Sequence, residues 1–337
     1  MTTQVLVTGA TGGLGRNAVE ALMARGVAVR ATGRRTDVGR QLQDLGAEFT
    51  ALDLATATPE ALDELLHGID VVWHTAALSS PWGCQNDFMV ANVTATTHLL
   101  AAAARQGAKR FIHISTPALY FDFTDRWNVP EAFCAASPVN HYAHSKALAE
   151  AAVQVAAQRW PHLHCTVLRP RAIFGPHDQV LLPRLTRLLD QRKGRLTLPR
   201  AGAVTLDLTY VENVVQAMWL ATGIDTHQLP SGTAINITNH EPVVLREVLH
   251  ALYAQALEQP LHIVSVPWAI LSVIARSMEI CSHITGREPL LTAYSVGALG
   301  FDMTLDNTKA RELLGYRPEV DMTEALQRTA HWMKTHG

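Results

Sequence analysis

Residues 4–15 read Gln4-Val5-Leu6-Val7-Thr8-Gly9-Ala10-Thr11-Gly12-Gly13-Leu14-Gly15, and the chain continues as Arg16-Asn17-Ala18-Val19-Glu20-Ala21-Leu22-Met23. The opening run is apolar and β-branched, the pattern of a strand buried on both faces of a parallel sheet. It breaks into glycines and resumes with helical spacing. A strand, a glycine turn and a helix in that order form a dinucleotide-binding unit. Glycine permits a tight turn and a close approach of backbone to a pyrophosphate, and the new helix points free N–H groups and the positive end of its dipole at the phosphates. The spacing is Gly9-x-x-Gly12-x-x-Gly15 rather than G-x-G-x-x-G, so the inference rests on the strand before and the helix after as much as on the glycines. Gly9, Thr11, Gly12, Gly13, Leu14 and Gly15 are the residues placed at the cofactor by this reading.

Outward from this unit, strand and helix patterns alternate. Strands are expected at Val27–Thr32, Ala47–Ala51, Ile69–His74, Arg110–Ile114 and His162–Leu168, with long helices at Asp87–Arg105 and His141–Arg159. Regular alternation predicts an α/β fold, a doubly wound parallel sheet with right-handed crossovers, whose ligands lie beyond the C-terminal strand ends. After about residue 170 the pattern loosens, with prolines at 176, 183, 199, 230, 242, 260 and 267 and no glycine-serine linker. Residues 1–170 are therefore expected to form the nucleotide-binding domain. Residues 171–337 are expected to form mostly a smaller substrate-binding lobe, interleaved with the first, and 205–240 to return to the main sheet through a helix beginning near Thr209-Tyr210-Val211.

Composition narrows the function classes. The chain has 337 residues, 48% hydrophobic and 17% charged, as a compact soluble enzyme has and a disordered chain does not. A net charge of −2 gives no basic surface for nucleic acid or acidic membranes, so the expected partner is a small-molecule substrate. Cys84, Cys134, Cys165 and Cys281 form no C-x-x-C, and the first strand starts almost at once; four free thiols and a cytoplasmic location are expected. The sixteen histidines form no zinc pattern, and no metal is expected. The apolar stretch 263–275 is ended by Arg276 and Glu279 short of the ~18–20 residues a membrane span needs. It reads as a buried or partly exposed amphipathic helix starting at Pro267, with contact to a membrane surface as the lesser alternative.

The second strand should end at the adenosine ribose, where an acidic residue would bind the 2′-hydroxyl of NAD. The sequence there is Gly33-Arg34-Arg35. A guanidinium holds a 2′-phosphate bidentately, so NADP(H) is favoured. NAD(H) is the alternative, since solvated arginines are common in such loops and Asp37 lies close by. Asp53-Leu54, after the third strand, are placed at the adenine.

The reacting centre is read from Tyr142-Ala143-His144-Ser145-Lys146. Residues four apart share a helix face, and an ammonium near a phenol of ordinary pKa near ~10 stabilises the phenolate. Tyr142 is thus a candidate general acid/base and Lys146 a ribose ligand that tunes it. Ser115-Thr116, at the end of the fifth strand, can hydrogen-bond and polarise a substrate carbonyl, though a Ser-Thr pair before Pro117 also suits a plain turn.

These motifs together resemble the short-chain dehydrogenase/reductases in their extended branch, over nearly the whole chain. Thr8 to Gly15 matches T-G-x-x-G-x-x-G, Tyr142 and Lys146 match Y-x-x-x-K, and Ser115-Thr116 match the strand-end hydroxyl pair, of which Thr116 holds the catalytic place. The resemblance implies a Rossmann-type fold and gives Asn92 a structural or proton-relay role. It puts Ala76 and Ala77 in the turn under the cofactor, where His74 departs from the usual asparagine. Leu168-Arg169-Pro170-Arg171-Ala172-Ile173-Phe174-Gly175-Pro176 is similar to the segment that packs on the nicotinamide in 3β-hydroxysteroid dehydrogenase-like proteins, which assigns Pro170 and Ile173 to the cofactor. Nucleotide-sugar epimerases carry an asparagine where Ala172 or Ile173 stands. The resemblance further implies a homodimer. The expected activity is interconversion of a secondary alcohol and a ketone on a lipophilic or β-keto/β-hydroxy substrate, favoured also by aromatic residues between 118 and 136 (Tyr120, Phe121, Phe123, Trp127, Phe133). A redox-neutral epimerase or dehydratase and a non-catalytic cofactor sensor are the alternatives.

Overall fold

A computed structural model describes residues 3–336. Seven strands, β1 (Gln4–Thr8), β2 (Ala28–Gly33), β3 (Glu48–Ala51), β4 (Val71–His74), β5 (Arg110–Ile114), β6 (His164–Pro170) and β7 (Thr233–Ile237), form one sheet in the order β7-β6-β5-β4-β1-β2-β3. Every neighbouring pair is parallel. The order turns around between β1 and β4, which opens a crevice at their C-terminal ends.

Alternation of side chains divides the sheet between two cores. Val5 and Val7 face the helices Gly13–Ala24 and Val211–Gly223, through Ala18, Val19, Leu22, Val214 and Met218. Leu6, Val72, Phe111 and Val167 face the helices Pro59–Leu66, Ala95–Arg105 and His141–Arg159, through Leu62, Leu99, Leu100, Val153 and Ala156. With both faces covered, the central strands have no polar side to show, which is why they read as unbroken apolar runs.

The helix expected over 87–105 begins at Gln85, is π-helical over Met89–Thr94 and becomes α-helical over Ala95–Arg105. The His141–Arg159 helix starts where Asn140 accepts a hydrogen bond from the Ala143 N–H at 2.8 Å. This cap fixes Tyr142 and Lys146 in the first two turns.

Residues beyond β6, with the segment 119–129, build a third core around Leu185, Leu189, Leu196, Leu206, Leu249 and Tyr253. Its strands are short: Arg126–Val129, Met303–Leu305, Thr205–Leu206 and Val243–Val244 form one small sheet, and Arg195–Leu198 pairs with His262–Ser265. The Val211–Gly223 helix and β7 lie on the main sheet, whereas Thr205–Leu206 belongs to the lobe.

The stretch 263–275 is not one helix. Its first part is the strand His262–Ser265, and Pro267 caps a helix, Trp268–Thr285, that runs on through Arg276 and Glu279. The charges do not end it because Arg276 is exposed and the Glu279 carboxylate accepts the Ala293 N–H at 2.8 Å. Leu271 and Ala275 are buried, and Ile270, Val273, Ile274, Ile280 and Ile284 are exposed. No described helix is long and apolar enough to cross a membrane.

Candidate active site

The glycine loop and the turn after β4 are built against one another. Gly9 has φ +64°, and a Cβ on it would lie 2.7 Å from the Ala76 Cα. A Cβ on Gly15 would lie 2.2 Å from the Gly9 carbonyl oxygen, which already accepts the Gly12 N–H at 2.9 Å. The helix beginning at Gly13 has Gly12 as its N-cap, no capping side chain and no acidic residue in its first turn, so its leading N–H groups remain for an anion. The Ala76 N–H donates to Thr8 Oγ1 at 3.3 Å, Ala77 is exposed, and Leu14 packs part-buried between two cores. The Thr11 carbonyl accepts from Gln179 Nε2 at 3.2 Å. These residues fit a dinucleotide: the backbone approach is open where a side chain would close it.

At the end of β2, a Cβ on Gly33 would meet Thr11 Oγ1 at 2.6 Å, so this strand end abuts the glycine loop. Arg34 is exposed and makes no hydrogen bond or ion pair among the described residues, whereas Arg35 is held by Asp37 at 2.6 Å. The Asp53 carboxylate accepts the Ala55 N–H at 3.0 Å. Leu54 packs in the core beside Leu6 and Leu62, so only its backbone is left to offer a ligand.

Around the reacting position, the Tyr142 phenol lies near enough to the Thr116 and Ser79 side chains for both to act on its titration. Burial pushes its pKa up, and the two hydroxyls oppose that. Thr116 Oγ1 also accepts the Ala118 N–H at 3.2 Å. Ser115 Oγ is buried without a partner among the described residues. Lys146 is 2% exposed; its Nζ donates to the Ile114 carbonyl at 2.7 Å and to His113 Nε2 at 3.1 Å. Burial brings its pKa down to about 8, with Glu150 opposing. The structure thus gathers Tyr142, Thr116, Ser115 and Lys146 at the C-terminal end of β5.

Asn92 reaches the same helix through Ser145, next to Lys146. Its Oδ1 accepts the Leu78 N–H at 2.7 Å, and its Nδ2 donates to the Leu78 carbonyl at 3.1 Å and to Ser145 Oγ at 2.9 Å. Both amide donors and the Oδ1 acceptor tie the loop that carries Ser79 to the helix that carries Tyr142, which fits a positioning role. His74 is a second brace: Nδ1 bonds Thr8 Oγ1 at 2.7 Å and Nε2 bonds Thr96 Oγ1 at 2.9 Å. Burial, with the Lys146 charge adding, lowers its pKa to about 3, and it is neutral. Pro170 lies opposite Ile237 in the sheet, and Ile173 pairs with Thr209 and packs between two cores.

The aromatic loop divides. Tyr120 is fully buried, its hydroxyl donating to Asn236 Oδ1 at 2.8 Å and accepting from Arg169 Nη1. Phe133 lies beneath the Arg126 guanidinium, and Trp127 is 55% exposed. Phe121 and Phe123 remain, packed with Tyr294, Trp268 and Phe301. Sequence reasoning missed Ser79, His113 and Tyr294. His113 carried one usable signal, an imidazole two residues before the hydroxyl pair on an otherwise apolar strand. Among the described residues no cluster of His, Cys, Asp and Glu could hold a metal ion.

Comparison with known proteins agrees with this geometry. The NAD dependent epimerase/dehydratase family matches residues 5–237. The chain is 44% identical to the uncharacterized protein YbjS of Escherichia coli K12 over 99% of its length and 98% of that protein's. It is 33% identical to a 2-alkyl-3-oxoalkanoate reductase of Stenotrophomonas maltophilia, covering 96% and 98% of the two chains. It is 28% identical to the decarboxylating sterol-4-alpha-carboxylate 3-dehydrogenase of Bos taurus, covering 96% and 90%. In fold it is similar to the UDP-glucose 4-epimerase of Thermotoga maritima, with a TM-score of 0.79 at 21% identity over 99% of each chain. Glycine cradle, Tyr-x-x-x-Lys helix and family match converge: the chain belongs to the NAD dependent epimerase/dehydratase family, the extended short-chain dehydrogenase/reductases, and is an oxidoreductase of that family.

Proposed function

We propose that the protein is an NADP(H)-dependent oxidoreductase that interconverts a secondary alcohol and a ketone on a lipophilic β-keto or β-hydroxy substrate. The observation that carries this reading is the Tyr142 phenol beside the Thr116 and Ser79 hydroxyls, with Lys146 one helical turn away and bonded to the end of β5 through the Ile114 carbonyl at 2.7 Å. Tyr142 gives the proton to the substrate oxygen in reduction and takes it in oxidation. Thr116, with Ser115 beside it, orients that oxygen; the unpartnered Ser115 Oγ is a buried donor with a bond still to make. Lys146 holds ribose hydroxyls and favours the phenolate by its charge. The glycine loop and Lys146 would hold a nicotinamide cofactor, which when bound would supply the hydride for reduction or accept it in oxidation. Arg34, free of carboxylate partners, supports the 2′-phosphate form of the cofactor. The resemblance to the 2-alkyl-3-oxoalkanoate reductase supports the β-keto class.

The test is NADPH absorbance and product analysis with 2-alkyl-3-oxoalkanoates, 3-ketosteroids and nucleotide sugars. Net oxidation of NADPH by one of the first two classes is expected. Conversion of a nucleotide sugar without net change in NADPH would overturn the reading in favour of an epimerase or dehydratase.

A further inference from the structure

Two arginines leave the C-terminal end of β6, and their surroundings are opposite. Arg169 is saturated: it pairs with Glu150 through Nε at 2.8 Å and through Nη2, and Nη1 reaches the Tyr120 hydroxyl and, at 2.9 Å, the Glu131 carbonyl. Arg171 is only 9% exposed, its Nε is buried without a partner, and its guanidinium makes no hydrogen bond or ion pair among the described residues. Its backbone is held firmly: the N–H donates to the Ile237 carbonyl at 3.1 Å, and the carbonyl accepts from Thr209 Oγ1 at 2.6 Å. The residue is therefore anchored at the end of β6 and not carried on a loose loop.

A guanidinium keeps its charge in a protein, and an unpaired one out of water is costly. The neighbouring groups do not neutralise it. Asp207 lies within electrostatic range but spends an oxygen on the Leu305 N–H at 2.7 Å, and it forms no ion pair with Arg171. The other neighbour is the phenol of Tyr294, which also interacts electrostatically with Tyr142. Tyr294 thus lies within electrostatic range of both the guanidinium and the reacting phenol, with the Phe121 ring 5.7 Å from its own, and the Leu168 carbonyl accepts the Ser115 N–H at 2.7 Å, which sets the end of β6 beside the hydroxyl pair. The charge therefore leaves β6 next to the strand whose end carries Ser115 and Thr116.

We propose that Arg171 binds a carboxylate of the substrate, so that the protein takes a 3-oxo or 3-hydroxy acid as the free acid and the guanidinium sets its carbonyl or hydroxyl carbon against Tyr142. One guanidinium with Asp207 within electrostatic range matches a monoanion; a diphosphate would bring a second negative charge near that carboxylate. Aromatic neighbours suit the alkyl part of such an acid. This inference rests on the reading of the site as an alcohol/ketone oxidoreductase.

The experiment follows NADP+ reduction with a 2-alkyl-3-hydroxyalkanoic acid and with its methyl ester. The hydroxy acid is used because free 3-oxo acids lose carbon dioxide in solution. Wild type is expected to prefer the acid. Arg171→Gln should lower kcat/KM for the acid on the order of 100-fold and leave that for the ester nearly unchanged, with Arg171→Lys between them. NADPH affinity and the melting temperature of each variant report on folding and cofactor site. Equal use of acid and ester by wild type, or equal losses on both in Arg171→Gln, would overturn the role of Arg171 and leave the oxidoreductase reading standing. The acid-to-ester comparison needs no variant to fold. Inertness toward both, with turnover of a nucleotide sugar, would overturn both readings.

Discussion

Tyr142 and Lys146 divide one task, and substitution separates the parts. Tyr142→Phe removes the proton donor and leaves the ammonium, so turnover should fall on the order of 1,000-fold while NADPH binding, followed by fluorescence, is retained. Lys146→Met should weaken NADPH binding. Because the Lys146 ammonium titrates at about 8, wild-type affinity should decline as pH rises through that value, and the variant should lose this dependence. His74 makes the opposite kind of pH statement. It is neutral in the folded protein with a pKa of about 3 and takes up a proton near 6.5 when unfolded. Between those values the unfolded chain binds the extra proton, so stability falls as pH falls. By about pH 5 the loss from this residue is about 2 kcal/mol. His74→Asn, which keeps a polar bridge and removes the titration, should flatten that part of the pH–stability curve measured by chemical denaturation.

At the scale of elements, the π-helical turn Met89–Thr94 turns Asn92 inward onto Leu78 and Ser145. Asn92→Ala should release the loop carrying Ser79 and lower kcat about tenfold, with NADPH affinity kept. A direct proton carrier would instead shift the pH profile of kcat. The helix containing Asn92 was legible in the sequence; its π turn was not, because an extra residue per turn leaves no mark on apolar spacing. The parallel strands were legible because burial on both faces forces continuous apolar runs. The lobe strands, several only two residues long, are too short for a period to show. Chemistry behaved in the same way. Tyr142, Lys146 and the glycines carry fixed spacings, whereas Ser79 and Tyr294 approach Tyr142 from distant segments and Arg171 is distinguished only by the partner it lacks. That the Leu54 side chain packs into the core was hidden for a related reason: a leucine after a strand looks the same whether it lines a crevice or fills a core.

Over the whole molecule, the sheet is completed late in sequence. β7, Thr233–Ile237, is the neighbour that covers β6, and β6 is buried along its entire length. Removing everything after Pro230 should leave six strands, with β6 as an apolar edge. Such a truncated protein should sediment as aggregate, whereas the full chain stays in the supernatant. The same order governs the protein while it is being made. A ribosome moving at ~5–20 residues per second leaves β6 without its partner for on the order of ten seconds, during which the nascent sheet offers an open row of backbone donors and acceptors to any other strand. Chaperone occupancy on these ribosomes should therefore rise once β6 has emerged and drop when β7 clears the exit tunnel.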